Sequence, residues 1–335
     1  MQLLSNHCPD CHSEQIKVHC RYQTRHHGER RIYRCQDCDA YFSDTVCTAI
    51  AGLRTPLSRV IQILKARTDG MGLNATARTF SVSKKSVLDW EWRLSDLKPT
   101  LLLYSLLHQF LHQVIEGDEL YTKVHKNTAA SESQGWTVVL MERGSRFLWE
   151  LHCGRKDQQL FETALRLLVE VIEKTGDLTL LSDGERRYGN ILFSICYQLL
   201  HSGRPGRPRK TLPKNVRVRL KNKGQKKRRG RPRPKYQAPV PEHPETPSQM
   251  TEATIHANHV EAFNASLRRR NSAFRRKTNT YAKTQADLQR TLNREWLIHN
   301  FVRPHFTTGL VPAVALGILE SGLSWEQLFS IRYAC

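Results

Sequence analysis

The 335-residue sequence has no continuous run of about 18 apolar residues, the length that a membrane-spanning helix needs. Its first residues also lack the apolar stretch behind a basic start that marks a secretory signal peptide. These absences predict no membrane span, no membrane partner and a cytoplasmic protein. The nine cysteines are odd in number and four of them form two CxxC pairs, which favours metal binding over a disulfide framework.

Acidic residues are scarce relative to basic ones. The chain has 31 Asp and Glu against 52 Lys and Arg, a formal net charge of +21, which excludes an ordinary neutral metabolic enzyme as the default interpretation. Residues 203–235 contain 16 basic residues and no acid, and without them the charge falls to +5. The pattern predicts a mildly basic globular protein with one strongly basic segment, and nucleic acid as the partner.

Two cysteine knuckles lie near the beginning of the chain. Cys8 and Cys11 form the first, and Cys35 and Cys38 form the second after 23 intervening residues. Four thiolates can close a tetrahedral Zn²⁺ site, and the metal would supply folding energy to a domain of only about 50 residues. We therefore predict a structural zinc ribbon over residues 1–50, with a redox CxxC as the competing interpretation. The alternative ligands nearby are His7, His12, Cys20 and Cys47.

Three short helices are predicted over residues 51–97. An apolar stripe indicates a helix over 55–68, a second helix is expected over 73–80, and Ser83 caps a third that extends to residue 92. This arrangement is typical of a helix-turn-helix module, whose last helix enters the DNA major groove. Lys84, Lys85 and Arg93 are its candidate DNA contacts. Any small three-helix core is the competing interpretation, and residues 98–112 are predicted as a linker helix.

The next part of the chain predicts a mixed α/β unit. Strands are expected over 113–119, 136–141, 147–151 and 178–181, with helices over 158–174 and 190–200, so that residues 113–200 form the first part of the domain. Its second part, residues 253–335, is predicted to be mainly helical. The fold class is thus multidomain α+β.

A basic, Pro- and Gly-rich segment separates these two parts. Residues 201–252 are predicted to be a disordered or extended insertion. Gly-Arg-Pro occurs three times in it, and the arginines Arg204, Arg207 and Arg231 are candidates for a narrow DNA minor groove. A nonspecific electrostatic tether is an equal alternative, and either interpretation implies binding that weakens with salt.

Three acids stand out in the predicted α/β unit. Asp118 and Asp183 each follow an apolar strand, which places them at the sheet edge where ligands bind, and Glu261 lies on a later helix. Three converging carboxylates can hold two Mg²⁺ or Mn²⁺ ions for phosphoryl transfer. With 31 acids in the chain, solvated surface acids or helix caps are the competing interpretation.

The order of these features resembles the transposases of the insertion-sequence-one type, within the DDE recombinase class. The resemblance covers nearly the full chain. It rests on CPDC and CQDC, FSVSKKSVLDWEWRL, EGDELYT, LLSDG and HANHVEAFNASLRRRNSAFRRKTNTYAK. It implies an RNase H-like catalytic domain, dependence on Mg²⁺, the cutting and joining of transposon-end DNA, and a prokaryotic, nucleoid-associated protein.

The resemblance also assigns roles to single positions. Asp118, Asp183 and Glu261 match the catalytic acids, with Glu185 as the main rival of Asp183, and with Glu116 and Glu119 set aside. The further contacts to DNA that it suggests are Asn264, Arg268, Arg275, Arg276 and Lys277, with Asn258 and His259 as additional candidates. The 78-residue separation of Asp183 and Glu261 falls to about 28 if the insertion of roughly 50 residues is removed.

The expected function is therefore a DNA transposase that binds terminal inverted repeats and performs metal-dependent cleavage and strand transfer. Its partners would be double-stranded DNA, both transposon ends and target, and further copies of itself as a dimer or higher multimer. Two alternatives remain open. One is a DNA-binding regulator without catalysis, and the other is a metal-dependent nuclease of the same fold.

Overall fold

A computed structural model describes most of the chain. The described residues are 7–108, 113–125, 129–201, 203, 205–221, 241–247, 250–275 and 279–333. Four of the predicted DNA contacts lie outside them: Arg204, Arg231, Arg276 and Lys277. Within the described residues, no helix combines the length and the apolar character needed to cross a bilayer.

The N-terminal residues form a small antiparallel sheet of three strands. These are β1 (Ile16–Thr24), β2 (Gly28–Cys35) and β3 (Tyr41–Ser43), and β2 is central. The side chains buried in this unit are few, namely Cys8, Tyr33, Cys35 and Phe42. So small a core stabilises a fold only weakly, which is the physical reason to expect a metal here.

Three helices follow, as predicted. They are α1 (Leu57–Thr68), α2 (Leu73–Thr79) and α3 (Lys84–Ser95), and α4 (Lys98–His108) comes next. The Ser83 hydroxyl caps α3 by accepting a hydrogen bond of 3.0 Å from the Ser86 N–H. The inward faces of the helices bury Val60, Leu64, Val87 and Leu94, because these residues recur at helical spacing.

A five-stranded mixed sheet forms the centre of the protein. Its strands are β4 (Val114–Tyr121), β5 (Trp136–Glu142), β6 (Leu148–Gly154), β7 (Leu178–Ser182) and β10 (Val216–Leu220). The order is β10-β7-β4-β5-β6, with β4 in the middle. Strands β4, β5 and β6 are antiparallel neighbours, whereas β7 runs parallel to both β4 and β10.

Helices cover both faces of this sheet. Helix α5 (Gln158–Thr175) connects β6 to β7, and α6 (Arg186–Cys196) follows β7. Helices α7 (Asn258–Arg270) and α8 (Gln285–Leu297) come later in the chain. Helix α8 continues into a π-helical turn, Ile298–Val302, and α9 (Pro312–Ala315) and α10 (Trp325–Ser330) complete the described structure. Helix α8 contacts both β6 and α3, so it joins the three-helix module to the sheet.

Buried ion pairs reinforce that junction. Glu91 on α3 is fully buried and pairs with Arg67 of α1 at 2.8 Å and with Arg294 of α8. Burial opposes ionisation of this carboxyl, but the cations of Arg294 and Arg67 hold the pKa of Glu91 below its usual value. Removing one member would leave a buried charge unpaired, so the network ties the module firmly to the α/β unit.

The structure corrects part of the prediction of a disordered or extended insertion over 201–252, because residues 209–220 contain two strands, whereas residues 222–240 lie outside the described residues. Strands β8 (Gln198–Leu200) and β9 (Arg209–Thr211) pair with each other, and β10 is an edge strand of the central sheet. In β10 the valines alternate with arginines, so Val216 and Val218 are buried while Arg219 pairs with Glu242. The basic composition concealed this alternation. Likewise, the helix predicted over 190–200 already ends at Cys196.

Candidate functional site

The four predicted zinc ligands come together. The Sγ atoms of Cys8 and Cys38 are 3.5 Å apart, as are those of Cys11 and Cys35, and all four lie within 4.8 Å of one another. A tetrahedral ion with Zn–S bonds of about 2.3 Å requires sulfur atoms about 3.8 Å apart. The four cysteines could therefore hold a structural metal, and the alternative ligands proposed from the sequence are not part of this group.

Two of the three predicted catalytic acids are neighbours on the central sheet. Gly117 of β4 pairs with Ser182 of β7 in the parallel register, so the next residues, Asp118 and Asp183, lie side by side where β7 ends. Asp118 is inside β4 rather than after it, because that strand continues to Tyr121. The expectation that both acids follow a strand therefore holds only for Asp183.

The Asp118 carboxylate experiences an unfavourable electrostatic environment. Burial, together with the negative charges of Glu119 and Asp183, raises the pKa of Asp118 to about 6. The Asn264 side chain opposes this shift by donating a hydrogen bond of 2.7 Å to Oδ2. Crowded carboxylates of this kind would be relieved by a divalent cation, for which carboxylate oxygens are suitable ligands.

Helix α7, which carries the third acid, is attached to the same strand as Asp118. Asn264 is almost completely buried, and its hydrogen bond attaches α7 to β4. Glu261 lies one turn earlier on the same helix and is exposed. The described residues contain two groups of three or more side chains whose ligand atoms lie within 4.8 Å, and Asp118, Asp183 and Glu261 do not form one of them.

The rival acids have basic partners. Glu119 accepts a hydrogen bond of 3.1 Å from Lys156, on the face of β4 opposite Asp118. Glu185 caps α6 by accepting from the Arg187 N–H, and it also pairs with the Arg187 guanidinium at 2.8 Å, which lowers the pKa of Glu185. These ion pairs engage Glu119 and Glu185 in contacts within the protein.

A second group of possible metal ligands, in addition to the four cysteines, was not predicted from the sequence. Ligand atoms of Glu116, His256 and His259 lie within 4.8 Å of one another, so these residues could bind a metal ion. The Arg143 Nε also donates to Glu116 at 2.7 Å. Two signals were present in the sequence. One was an acid between apolar residues in a buried strand, and the other was a pair of histidines spaced i, i+3 at the beginning of a helix.

The candidate DNA contacts differ in their surroundings. Lys84 and Lys85 are exposed on the first turn of α3. Arg93, in contrast, donates at 2.6 Å to the Ala51 carbonyl and pairs with Asp89, so its guanidinium holds the connection between the N-terminal sheet and α1. The candidates Arg207, Arg268 and Arg275 are exposed.

The three-helix module touches the basic stretch that follows α7. Gly70, in the turn between α1 and α2, has a φ of +100°, and a Cβ placed there would lie 3.1 Å from the Arg270 carbonyl oxygen. Arg303 also pairs with Asp69 in the same turn at 2.9 Å. The turn and the end of α7 are thus in close contact, which only a glycine permits at this backbone conformation.

Neither a scan against protein-family models nor a search of the curated proteins finds a match for this chain.

Proposed function

We propose that the protein is a DNA transposase of the DDE class, in which the five-stranded sheet with its helices is an RNase H-like catalytic domain. The observation that supports the proposal is the pair Asp118 and Asp183, which lie beside each other on β4 and directly after β7, two parallel neighbours at the centre of the sheet. Burial raises the pKa of Asp118, and the negative charges of Glu119 and Asp183 add to the shift, so a bound cation would be favoured here. The family resemblance of the sequence implies that this cation is Mg²⁺ or Mn²⁺.

The three acids and Asn264 would each have a separate role in the reaction. Asp118 and Asp183 provide hard oxygen ligands, and Glu261 adds a third carboxylate from α7. Bound metal ions would lower the pKa of an attacking water or 3′-hydroxyl and stabilise the leaving oxygen. Asn264 orients Asp118 by donating to Oδ2, which leaves Oδ1 for a ligand. No covalent intermediate with the protein is required.

DNA binding would use the basic surfaces outside the acids. Lys84 and Lys85 are placed to contact DNA from the first turn of α3, and Arg268 and Arg275 extend a basic surface from α7. The contact between Gly70 and the end of α7 brings these two elements into one structure. Contacts of this kind to phosphate position the DNA without reading its sequence.

The direct test uses a labelled DNA fragment that carries the inverted repeat flanking the gene, a target plasmid and Mg²⁺. We expect cleavage at the repeat end and joined products, and we expect the D118A, D183A and E261A variants to abolish both while still binding the repeat. E185Q is the matched control and should retain activity, because Glu185 already has Arg187 as its partner.

The products distinguish the alternatives. Cleavage without joining would identify a nuclease. Binding without any metal-dependent product would identify a regulator, and activity that survives in D118A and D183A would refute the site.

A further inference from the structure

The Glu116 carboxylate has an unusual set of partners for an acid in the middle of a strand. Its side chain is completely buried, on the same face of β4 as Asp118 because the two residues are two positions apart. Oε2 accepts hydrogen bonds of 3.0 Å from the backbone N–H groups of His259 and Val260. These are free N–H groups of the first turn of α7, and strand β4 therefore supplies the cap of a helix more than 140 residues away in the chain.

This long-range cap replaces a local one. Helix α7 begins after Ala257, whose side chain cannot accept a hydrogen bond, so the helix has no cap of its own. A carboxylate at this end of a helix is also favoured by the helix dipole. Burial opposes ionisation of Glu116, but the hydrogen bonds from His259 and Val260 and the Arg143 guanidinium hold its pKa below the usual value.

The Arg143 side chain also contacts the backbone of the residues that directly precede α7. Besides donating to Glu116, its guanidinium donates to the carbonyl oxygens of Thr254 and His256, at 2.8 Å and 2.6 Å. The segment that returns from the basic region is therefore attached to β4 before the helix begins. Glu116 and Arg143 together determine where α7 starts.

A second attachment point lies further along the helix. Glu116 binds the N–H of Val260, and Asp118 binds Asn264. Two positions along a strand span about 6.7 Å, and four along a helix advance about 6 Å. The spacings match, so α7 runs along β4 with the two acids as adjacent attachment points. Glu261 lies on the helix between them, and its position relative to Asp118 depends on this register.

A metal ion is a poorer occupant of this cluster than the groups already there. Both oxygens of Glu116 are used by N–H donors, and the Arg143 Nη2 is also 3.4 Å from His256 Nδ1. A second cation next to a guanidinium in a buried site would be repelled strongly.

We propose that Glu116 is a positioning residue, which fixes the register of α7 on β4 and thereby places Glu261 relative to Asp118 and Asp183. This inference rests on the proposed function for its catalytic consequence, although the attachment itself can be tested without any activity.

The test compares E116Q with E142Q in the full-length protein. Glu142 is also a buried carboxylate that accepts backbone N–H hydrogen bonds, from Gly144 and Ser145, but these lie in the turn between β5 and β6. Hydrogen exchange followed by mass spectrometry should show faster exchange in the peptides of α7 for E116Q alone. Unchanged exchange of α7 in E116Q would overturn the proposal, whether or not the protein is a transposase.

The catalytic consequence has its own readout. We expect E116Q to bind the repeat DNA normally, to lose about 10- to 100-fold in cleavage rate, and to need more Mn²⁺ for half-maximal rate, as is typical when the support of a metal ligand is removed. E116D keeps the charge but is one methylene shorter, and it should not restore the rate. Wild-type metal dependence in E116Q would refute the positioning role.

Zinc analysis tests the competing role of the cluster. The wild-type protein and the E116A variant should carry the same amount of zinc, bound by the four cysteines. Additional zinc in the wild type that disappears in E116A would identify a metal site and overturn the proposal.

Discussion

Replacement of Asp118 by asparagine should stabilise the protein while abolishing catalysis. The charged carboxylate is partly buried beside Glu119 and Asp183, and these surroundings raise its pKa from 3.8 to about 6. The higher pKa means that the ionised carboxylate of Asp118 costs the folded protein about 3 kcal/mol. The D118N substitution removes this charge, and Asn264 can still donate to the new amide oxygen.

The effect has a defined pH dependence. The folded protein binds the proton of Asp118 more tightly than the unfolded chain does. The stability that this proton provides is complete below about pH 4 and is lost as the pH rises through about 6. The advantage of D118N should therefore approach about 3 kcal/mol at pH 7.5 and should shrink as the pH falls below 6. Mn²⁺ should reduce the difference at neutral pH, because it stabilises only the protein with the intact carboxylate.

Urea unfolding and thermal melting at pH 7.5 and pH 5 would measure these differences. The matched control is E119Q, which changes the next residue on the strand. It should stabilise the protein much less than D118N does, because relief of the repulsion between Glu119 and Asp118 is offset by the loss of the Glu119 hydrogen bond to Lys156 at 3.1 Å. A D118N variant that is no more stable than the wild type at pH 7.5 would refute the electrostatic description of the site.

Three further predictions concern other parts of the molecule. If the four cysteines hold a structural metal, its removal by a chelator, or the C35S substitution, should unfold the N-terminal sheet and make it sensitive to protease while the central sheet remains resistant. Burial lowers the pKa of His299 to about 4, so the unfolded chain gains a proton first as the pH falls below 6.5. Protonation of this histidine in the unfolded chain should lower the free energy of unfolding by about 2 kcal/mol at pH 5. The free energy of unfolding measured in urea should therefore change less steeply with pH in H299Q. The E91A substitution should lower the free energy of unfolding by about 3–5 kcal/mol, because it removes the buried carboxylate that Arg294 and Arg67 share, and calorimetry would detect this loss.

Local features of the fold were predictable because their signals are local. The CxxC spacing identified the four cysteines, since a tight turn suffices to bring two thiolates to one ion. The helices predicted over 55–68 and from Ser83 to residue 92 correspond to α1 and α3, because the apolar periodicity of an amphipathic helix and a capping serine are visible in the sequence, although α3 ends three residues later than predicted. Strand β10 was missed, because its alternation of valine and arginine lies inside a basic segment that resembles disorder.

The neighbouring residues of β4 show the limit of this reasoning most clearly. The sequence alone offered Glu116, Asp118 and Glu119 around Gly117 and favoured Asp118 by its position. Because side chains alternate between the two faces of a strand, Glu116 and Asp118 contact α7, whereas Glu119 contacts Lys156 on the opposite face. Gly117 lies on the same face of β4 as Glu119, and a glycine is needed there because a Cβ would lie 2.9 Å from the Tyr188 ring.

The sequence by itself determined most of the helices and strands, the grouping of the four cysteines and the basic character of this protein, because each depends on residues close together in the chain. Only the tertiary structure decided what each acid does. The role of a carboxylate depends on its partners, and those of Glu116 come from a helix more than 140 residues away. The same holds for Arg93, which looks like a DNA contact in the sequence but binds the Ala51 carbonyl in the fold. Long-range contacts of this kind leave no periodic pattern in the sequence, because the partners of each side chain are brought together only by the folded chain.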